Sequence, residues 1–180
     1  MTNRFLTPKG EINLRLAAPD DAAAVRELRL EALSLHPEAF SADLTMTAAE
    51  GAEVWAERIA GYQTSSSGAI CIASFSDGLI GMTGIGRGHW PKTQHFATIW
   101  GVFVSPEWRG YHIAEQLFTV CFDWAKGEGV TVINLGVNIS NVNAIRCYSR
   151  CGFTIYGVEP RAIYLHDIYY DELLMSKLID

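Results

Sequence analysis

No apolar run in this chain of 180 residues approaches the length needed to cross a membrane. The first residues, MTNRFLTPKGEINLRL, contain neither an apolar core nor a small-residue cleavage site, so no secretory signal is expected. Dense Lys/Arg runs are missing too. With 14 Lys and Arg against 20 Asp and Glu, the net charge is −6, which argues against nucleic acid as a partner. An acidic surface mildly favours cationic substrates such as amines. The four cysteines (Cys71, Cys121, Cys147 and Cys151) form no C-x-x-C pair, and no spaced His or Cys completes a metal site. They fit small buried hydrophobes in a reducing cytoplasm. No G-x-x-x-x-G-K-[ST] loop is present, which argues against a P-loop nucleotide-binding domain.

What remains is an ordinary globular balance, 49% apolar and 19% charged, without internal repeat or linker. One domain over residues 1–180 is expected. Ile12 to Leu16 alternates and reads as a first strand. Pro19 with Asp20 or Asp21 starts a helix carrying Val25, Leu28 and Leu33. SLHPEAFSADLTM reads as irregular, and a second helix is expected from about Ala48 to Ala60, followed by a QTSSSG loop. AICIASF and LIGMTGIG form two strands joined by a Ser-Asp-Gly turn. HFATIWGVFV is a fourth strand and TVINLGV a fifth, with a helix of about Ile113 to Lys126 between them. A short helix ends at Cys151-Gly152, and FTIYGVEP and the stretch near Asp167 to Lys177 close the chain as strands. The fold class is therefore mixed α/β (α+β), in β-α-α-β-β-β-α-β-α-β order with one more strand at the end.

The junction VSPEWRGYHIAEQLF, Val104 to Phe118, is a strand, a glycine-bearing turn and an amphipathic helix. A helix start leaves backbone N–H groups unpaired and partly positive, a ready site for phosphate. Gly101 inside the fourth strand suggests a bulge, and Gly136 lies near the end of the fifth. If strands four and five splay there, an extended ligand with amide groups can pair in the gap. Coenzyme A has a pantetheine arm and a pyrophosphate in that order.

These residues resemble the GNAT superfamily of N-acetyltransferases. The family's phosphate loop falls on Arg109-Gly110-Tyr111-His112-Ile113-Ala114, and its second motif on Asn141, Ala144, Tyr148, Gly152 and Phe153. The opening Leu14 to Leu33 and the closing Tyr170 to Met175 are similar as well, so the likeness spans nearly the whole chain. One position departs: His112 stands where the family has a glycine.

The resemblance implies acetyl-CoA as co-substrate. Val102, Phe103 and Val104 would line the pantetheine arm through their backbone, one N–H polarising the thioester carbonyl. Arg109, Gly110, Tyr111, His112, Ile113 and Ala114 would hold phosphate, Arg109 by its backbone N–H or its guanidinium. Asn141 and Ala144 would flank the arm, and Tyr148 would be the general acid for the leaving thiolate. The expected activity is acetyl transfer to a primary amine, small molecule or peptide, by direct attack in a ternary complex. For the general base, the fourth strand offers no carboxylate; His95, Asp43, Glu38 and Glu31 are the alternatives, with His89 and Trp90 at the edge. A non-catalytic acyl-CoA-binding or sensing module is the rival function. A homodimer is compatible with the resemblance.

Overall fold

The computed structural model describes residues 3–76 and 78–179. One sheet of eight strands runs in the order β1-β2-β3-β4-β5-β6-β8-β7. Its strands are β1 (Asn3–Thr7), β2 (Gly10–Leu16), β3 (Gly68–Phe75), β4 (Gly78–Arg87), β5 (Phe96–Val104), β6 (Val132–Asn138), β7 (Thr154–Leu165) and β8 (Ile168–Leu178). The helices are α1 (Ala22–Leu35), α2 (Leu44–Ala49), α3 (Ala52–Ser65), α4 (Ile113–Gly127) and α5 (Val142–Arg150). The expected fourth and fifth strands are β5 and β6.

The α/β class stands, with three local corrections. A strand, β1, precedes the expected first one and pairs with it from Asn3↔Leu14 to Thr7↔Gly10. Within the stretch expected to be irregular, Asp43 accepts from the Met46 N–H at 2.8 Å and caps α2. Glu50 and Gly51 then break the chain, so the next helix begins at Ala52 and runs on through the expected loop to Ser65. Asp77, the centre of the expected Ser-Asp-Gly turn, lies outside the described residues.

Both faces of the central strands are covered, which is why AICIASF reads as a continuous apolar run. Val25, Leu28 and Ala32 of α1, with Trp55 and Ile59 of α3, pack on Ile70, Ile72, Met82 and Phe103. On the other face Leu117, Phe118 and Cys121 of α4 pack against Leu14, Cys71, Ile99 and Leu135. All four cysteines are free thiols, and Cys71 and Cys121 touch in this layer with Sγ atoms 3.2 Å apart.

Two irregularities place a cleft. Met82 pairs with Phe103 and Gly84 with Trp100, so Gly101 and Val102 together oppose Thr83. This is the expected bulge, and Gly101 takes φ +64, the left-handed conformation that side chains disfavour. The second concerns β5 and β6, the parallel pair joined by the α4 crossover. Their ladder runs only from Phe96↔Val132 to Thr98↔Asn134. Beyond Thr98 the two strands part, while β6 stays paired with β8 as far as Asn138↔Glu172.

Candidate active site

The parted strands open a cleft of ≈ 820 Å³. One wall is the end of β5, including Val102, Phe103 and Val104. The start of α4 forms its floor, and Asn141, Ala144 and Tyr148 of α5 line the opposite side. Arg109, Gly110, His112, Ile113 and Ala114 all border it. Tyr111 alone of the expected residues turns its ring away, 6.3 Å from the Trp108 ring and 5.3 Å beneath Lys9 Nζ.

The mouth of α4 carries the donors. The backbone N–H groups of Gly110, Tyr111, His112, Ile113 and Ala114 meet no acceptor among the described residues; Gln116 is the first to bond back, to His112 O at 3.2 Å. Such consecutive orphan donors, at the positive end of a 15-residue helix, favour an anion. His112 holds φ +60, so its backbone takes a conformation natural to glycine. Its imidazole is drawn sideways, Nδ1 lying 3.0 Å from Glu115 Oε1, which also accepts from Arg150 Nη2 at 2.6 Å. Burial would raise the Glu115 carboxyl, but the hydrogen bonds from Arg150 and His112 outweigh it and hold it below the usual carboxylate range.

Arg109 borders the cleft and also has partners within the protein. Its N–H donates to Pro106 O at 3.2 Å, and its Nε donates to Val104 O at 3.1 Å. Its Nη2 lies 2.9 Å from His36 Nε2. Guanidinium has no acceptor, so His36 accepts there through an unprotonated Nε2. The arginine thus ties the loop to the end of α1.

Across the cleft, the segment after α1 forms a strap. His36 Nδ1 lies 3.8 Å from Glu38 Oε1, and Asn138 Nδ2 donates to Glu38 O at 3.0 Å. His36, Glu38 and Phe40 border the cleft. Of these only Glu38 was anticipated, because the strap acquires its position from Asn138 and Arg109, 100 and 73 residues away from their respective partners. The other carboxylates and imidazoles considered as bases lie elsewhere. Asp43 caps α2, and Glu31 accepts from Ser105 Oγ at 3.3 Å. His95 carries the carbonyl that anchors Thr131 at 2.8 Å, and His89 stacks edge-on with an exposed Trp90. None of these lines the cleft, whereas Glu38 and Glu115 do.

Tyr148 is 7% exposed, its ring 5.4 Å from that of Phe118 and 6.4 Å from that of Phe153. The residue borders the cleft, and its hydroxyl makes no hydrogen bond with the described residues. Burial first, and then nearby Cys147, Cys151 and Glu172, push the phenol pKa well up. Tyr148 therefore holds its proton firmly. Asn141 Oδ1 caps α5 by accepting from Ala144 N at 3.1 Å, which leaves its Nδ2 pointing no bond into the protein. No group of three or more His, Cys, Asp or Glu among the described residues could hold a metal ion. No helix among them is long and apolar enough to cross a membrane.

A bulged strand, a parted parallel pair and a donor-rich helix mouth together frame a cleft whose donors suit an anion. The comparisons with known proteins agree: the chain matches the acetyltransferase (GNAT) family over residues 25–153 and belongs to that family. It is 25% identical to the L-amino acid N-acetyltransferase AaaT of Escherichia coli over 173 residues, 93% of this chain and 98% of that protein. It is 37% identical to an uncharacterized N-acetyltransferase of Methanocaldococcus jannaschii over 62 residues, 34% of this chain; the match spans only 27% of that protein. Among solved structures, a GNAT-family acetyltransferase from Streptococcus pneumoniae superposes with TM-score 0.84 at 22% identity, covering 94% of this chain and 99% of that one. The yncA protein of Salmonella typhimurium, described as a putative acetyltransferase with its cofactor acetyl-CoA, gives TM-score 0.82 at 20% identity, covering 94% of each chain. At those identities the structural likeness is one of fold.

Proposed function

We propose that residues 1–180 form one catalytic domain that moves acetyl from acetyl-CoA to a primary amine by direct attack in a ternary complex. The observation that carries this is the alignment of the five unpaired amides, Gly110 to Ala114, with the gap between β5 and β6. The residues suit coenzyme A. The amides of Gly110, Tyr111, His112, Ile113 and Ala114 would hold its diphosphate. Val102, Phe103 and Val104 present a strand edge that β6 no longer pairs, and Asn141 Nδ2 and the small Ala144 flank the same passage. Arg109 supports the loop from behind through Val104 and His36.

Acetyl-CoA, when bound, supplies an activated thioester. The protein does the rest. A backbone N–H of Val102–Val104 would donate to the carbonyl oxygen as it gains charge. Glu38 would take the proton that an ammonium must lose before it attacks. Tyr148 would give its proton to the departing sulfur and recover one from solvent. The raised pKa keeps the phenol protonated but makes it a weaker acid, so the transfer requires that the same dry surroundings also raise the leaving thiol, ordinarily at a pKa of about 8.5. The E. coli relative, by its name, acts on L-amino acids, which puts them in the acceptor panel.

The test is release of free thiol from acetyl-CoA across amines that include amino acids, polyamines and peptide N-termini. The account expects turnover on at least one. Acetyl-CoA binding without turnover on any amine would favour the sensing module, and no binding would remove both.

A further inference from the structure

Arg29 lies on α1, four residues after Val25 and four before Leu33, in the middle of that helix's apolar stripe. It is 7% exposed, yet no carboxylate among the described residues pairs with it. Its Nη1 is enclosed and has no hydrogen-bond partner. Every other arginine that points toward the α1/α3 layer has an anionic or carbonyl partner: Arg26 donates to Glu50 O at 2.6 Å, and Arg58 pairs with Glu50 Oε1 at 3.2 Å. A buried cation without a counter-charge is costly, so a fold that keeps one needs a reason outside its own stability. The site around it supplies one. Arg29 Cζ sits 4.6 Å over the ring of Phe40. Its Nη1 lies 3.3 Å from the place a Cβ would occupy on Gly101. Phe40 and Gly101 both border the cleft. The guanidinium is thus held against the bulge on the α1 side of β5, while the five free amides lie at the start of α4 on the opposite side. Arg29 stands directly behind Gly101 and Phe40, and Gly101 adds no Cβ to the layer that separates it from the cleft. Burial first, and then the charge of Arg58, lower the Arg29 pKa to about 10, which leaves it cationic at neutral pH.

We propose that Arg29 is the anchor for a carboxylate on the acetyl acceptor, so that the acceptors are small amino acids rather than simple amines or polyamines. The inference rests on the acetyltransfer just proposed. A planar fork of N–H donors matches a carboxylate and gives it the negative partner that the protein does not. Because the guanidinium abuts the bulge where acyl transfer would occur, amine and carboxylate must lie only a few bonds apart, as in an α-amino acid. Arg29 acts on binding and leaves the reacting atoms to Tyr148 and Glu38.

The experiment compares kcat/KM for several L-amino acids, each with its amide and its decarboxylated amine, in the wild type and in Arg29→Met and Arg29→Lys. The wild type should prefer the carboxylate form at least about tenfold. In Arg29→Met that preference ratio should fall roughly 10- to 100-fold, the range for losing a hydrogen-bonded charge pair, with the change in KM. Arg29→Lys should retain part of it. Should Arg29→Met fail to fold, the wild-type ratio and Arg29→Lys decide. A wild type indifferent to the carboxylate, or variants that lose all acceptors in equal proportion, would overturn the inference while leaving acetyltransfer intact. Absence of turnover on every amine would overturn both.

Discussion

Burial raises the pKa of the Tyr148 phenol and keeps it protonated at neutral pH, as the acid proposed for the leaving thiolate must be. Tyr148→Phe preserves the ring packing on Phe118 and Phe153 and removes only the hydroxyl. It should lower kcat about 10²-fold or more while coenzyme A affinity stays within about twofold. Steady-state kinetics with titration of the cofactor separates the two. The same residue sets a pH dependence. With the folded pKa raised, the unfolded chain releases this proton first, near pH 10, so the tyrosine's contribution is full below that pH and is lost as pH climbs toward the folded value. The melting temperature of the wild type should therefore fall more steeply above about pH 10 than that of Tyr148→Phe. His112 makes a second case. Its left-handed backbone and sideways imidazole leave the helix mouth open, so His112→Gly should bind coenzyme A as well or better and gain a few tenths to about 1 kcal/mol of stability from relieved strain. A tenfold loss of affinity on titration would show that the imidazole holds phosphate. At this scale the sequence showed much: a glycine-like position occupied by histidine, and a tyrosine one turn after a small residue. It did not show Arg29, because a charged residue inside an apolar stripe is conspicuous only when the whole stripe is checked for exceptions.

Among the elements, the parts that depend on local chemistry were legible and those that depend on distant contacts were not. A cap expected from Asn141 or Ser140 and supplied by Asn141, the terminating Gly152 at φ +89 and the helical spacing Ile113, Leu117, Cys121 place α4 and α5 within a residue or two of expectation. The bulge at Gly101 announced itself as a glycine in a β-branched run. By contrast, β1 carries Asn3, Arg4 and Thr7 in five residues and becomes a strand because β2 pairs with it. The strap from His36 to Phe40 reads as a loop and gains its meaning only from Asn138 and Arg109. The bulge is where an element can be tested. Gly101→Ala must either keep φ +64 with a Cβ or unmake the bulge, and that Cβ would meet Arg29 Nη1 at 3.3 Å. We expect a stability loss of about 1–2 kcal/mol by denaturant titration and a fall in kcat/KM larger than that loss explains. An alanine variant with unchanged activity would mean that the bulge does not shape the site.

For the whole molecule, an eight-stranded sheet covered on both faces contains one pair of neighbouring strands that part. β4 supports β5 from one side and β8 supports β6 from the other, so the gap beyond Thr98 and Asn134 is held open from both edges without a partner of its own. α4 crosses between those same strands, which sets its donor-rich start at the end of the gap. One extended ligand is proposed to use both features at once. Amide hydrogen exchange measured with and without coenzyme A tests it most directly. The account predicts slowed exchange at Gly110–Ala114 and at Val102–Val104 together, with little change in β1 or β2; binding that leaves either segment unprotected, or no binding at all, would contradict it.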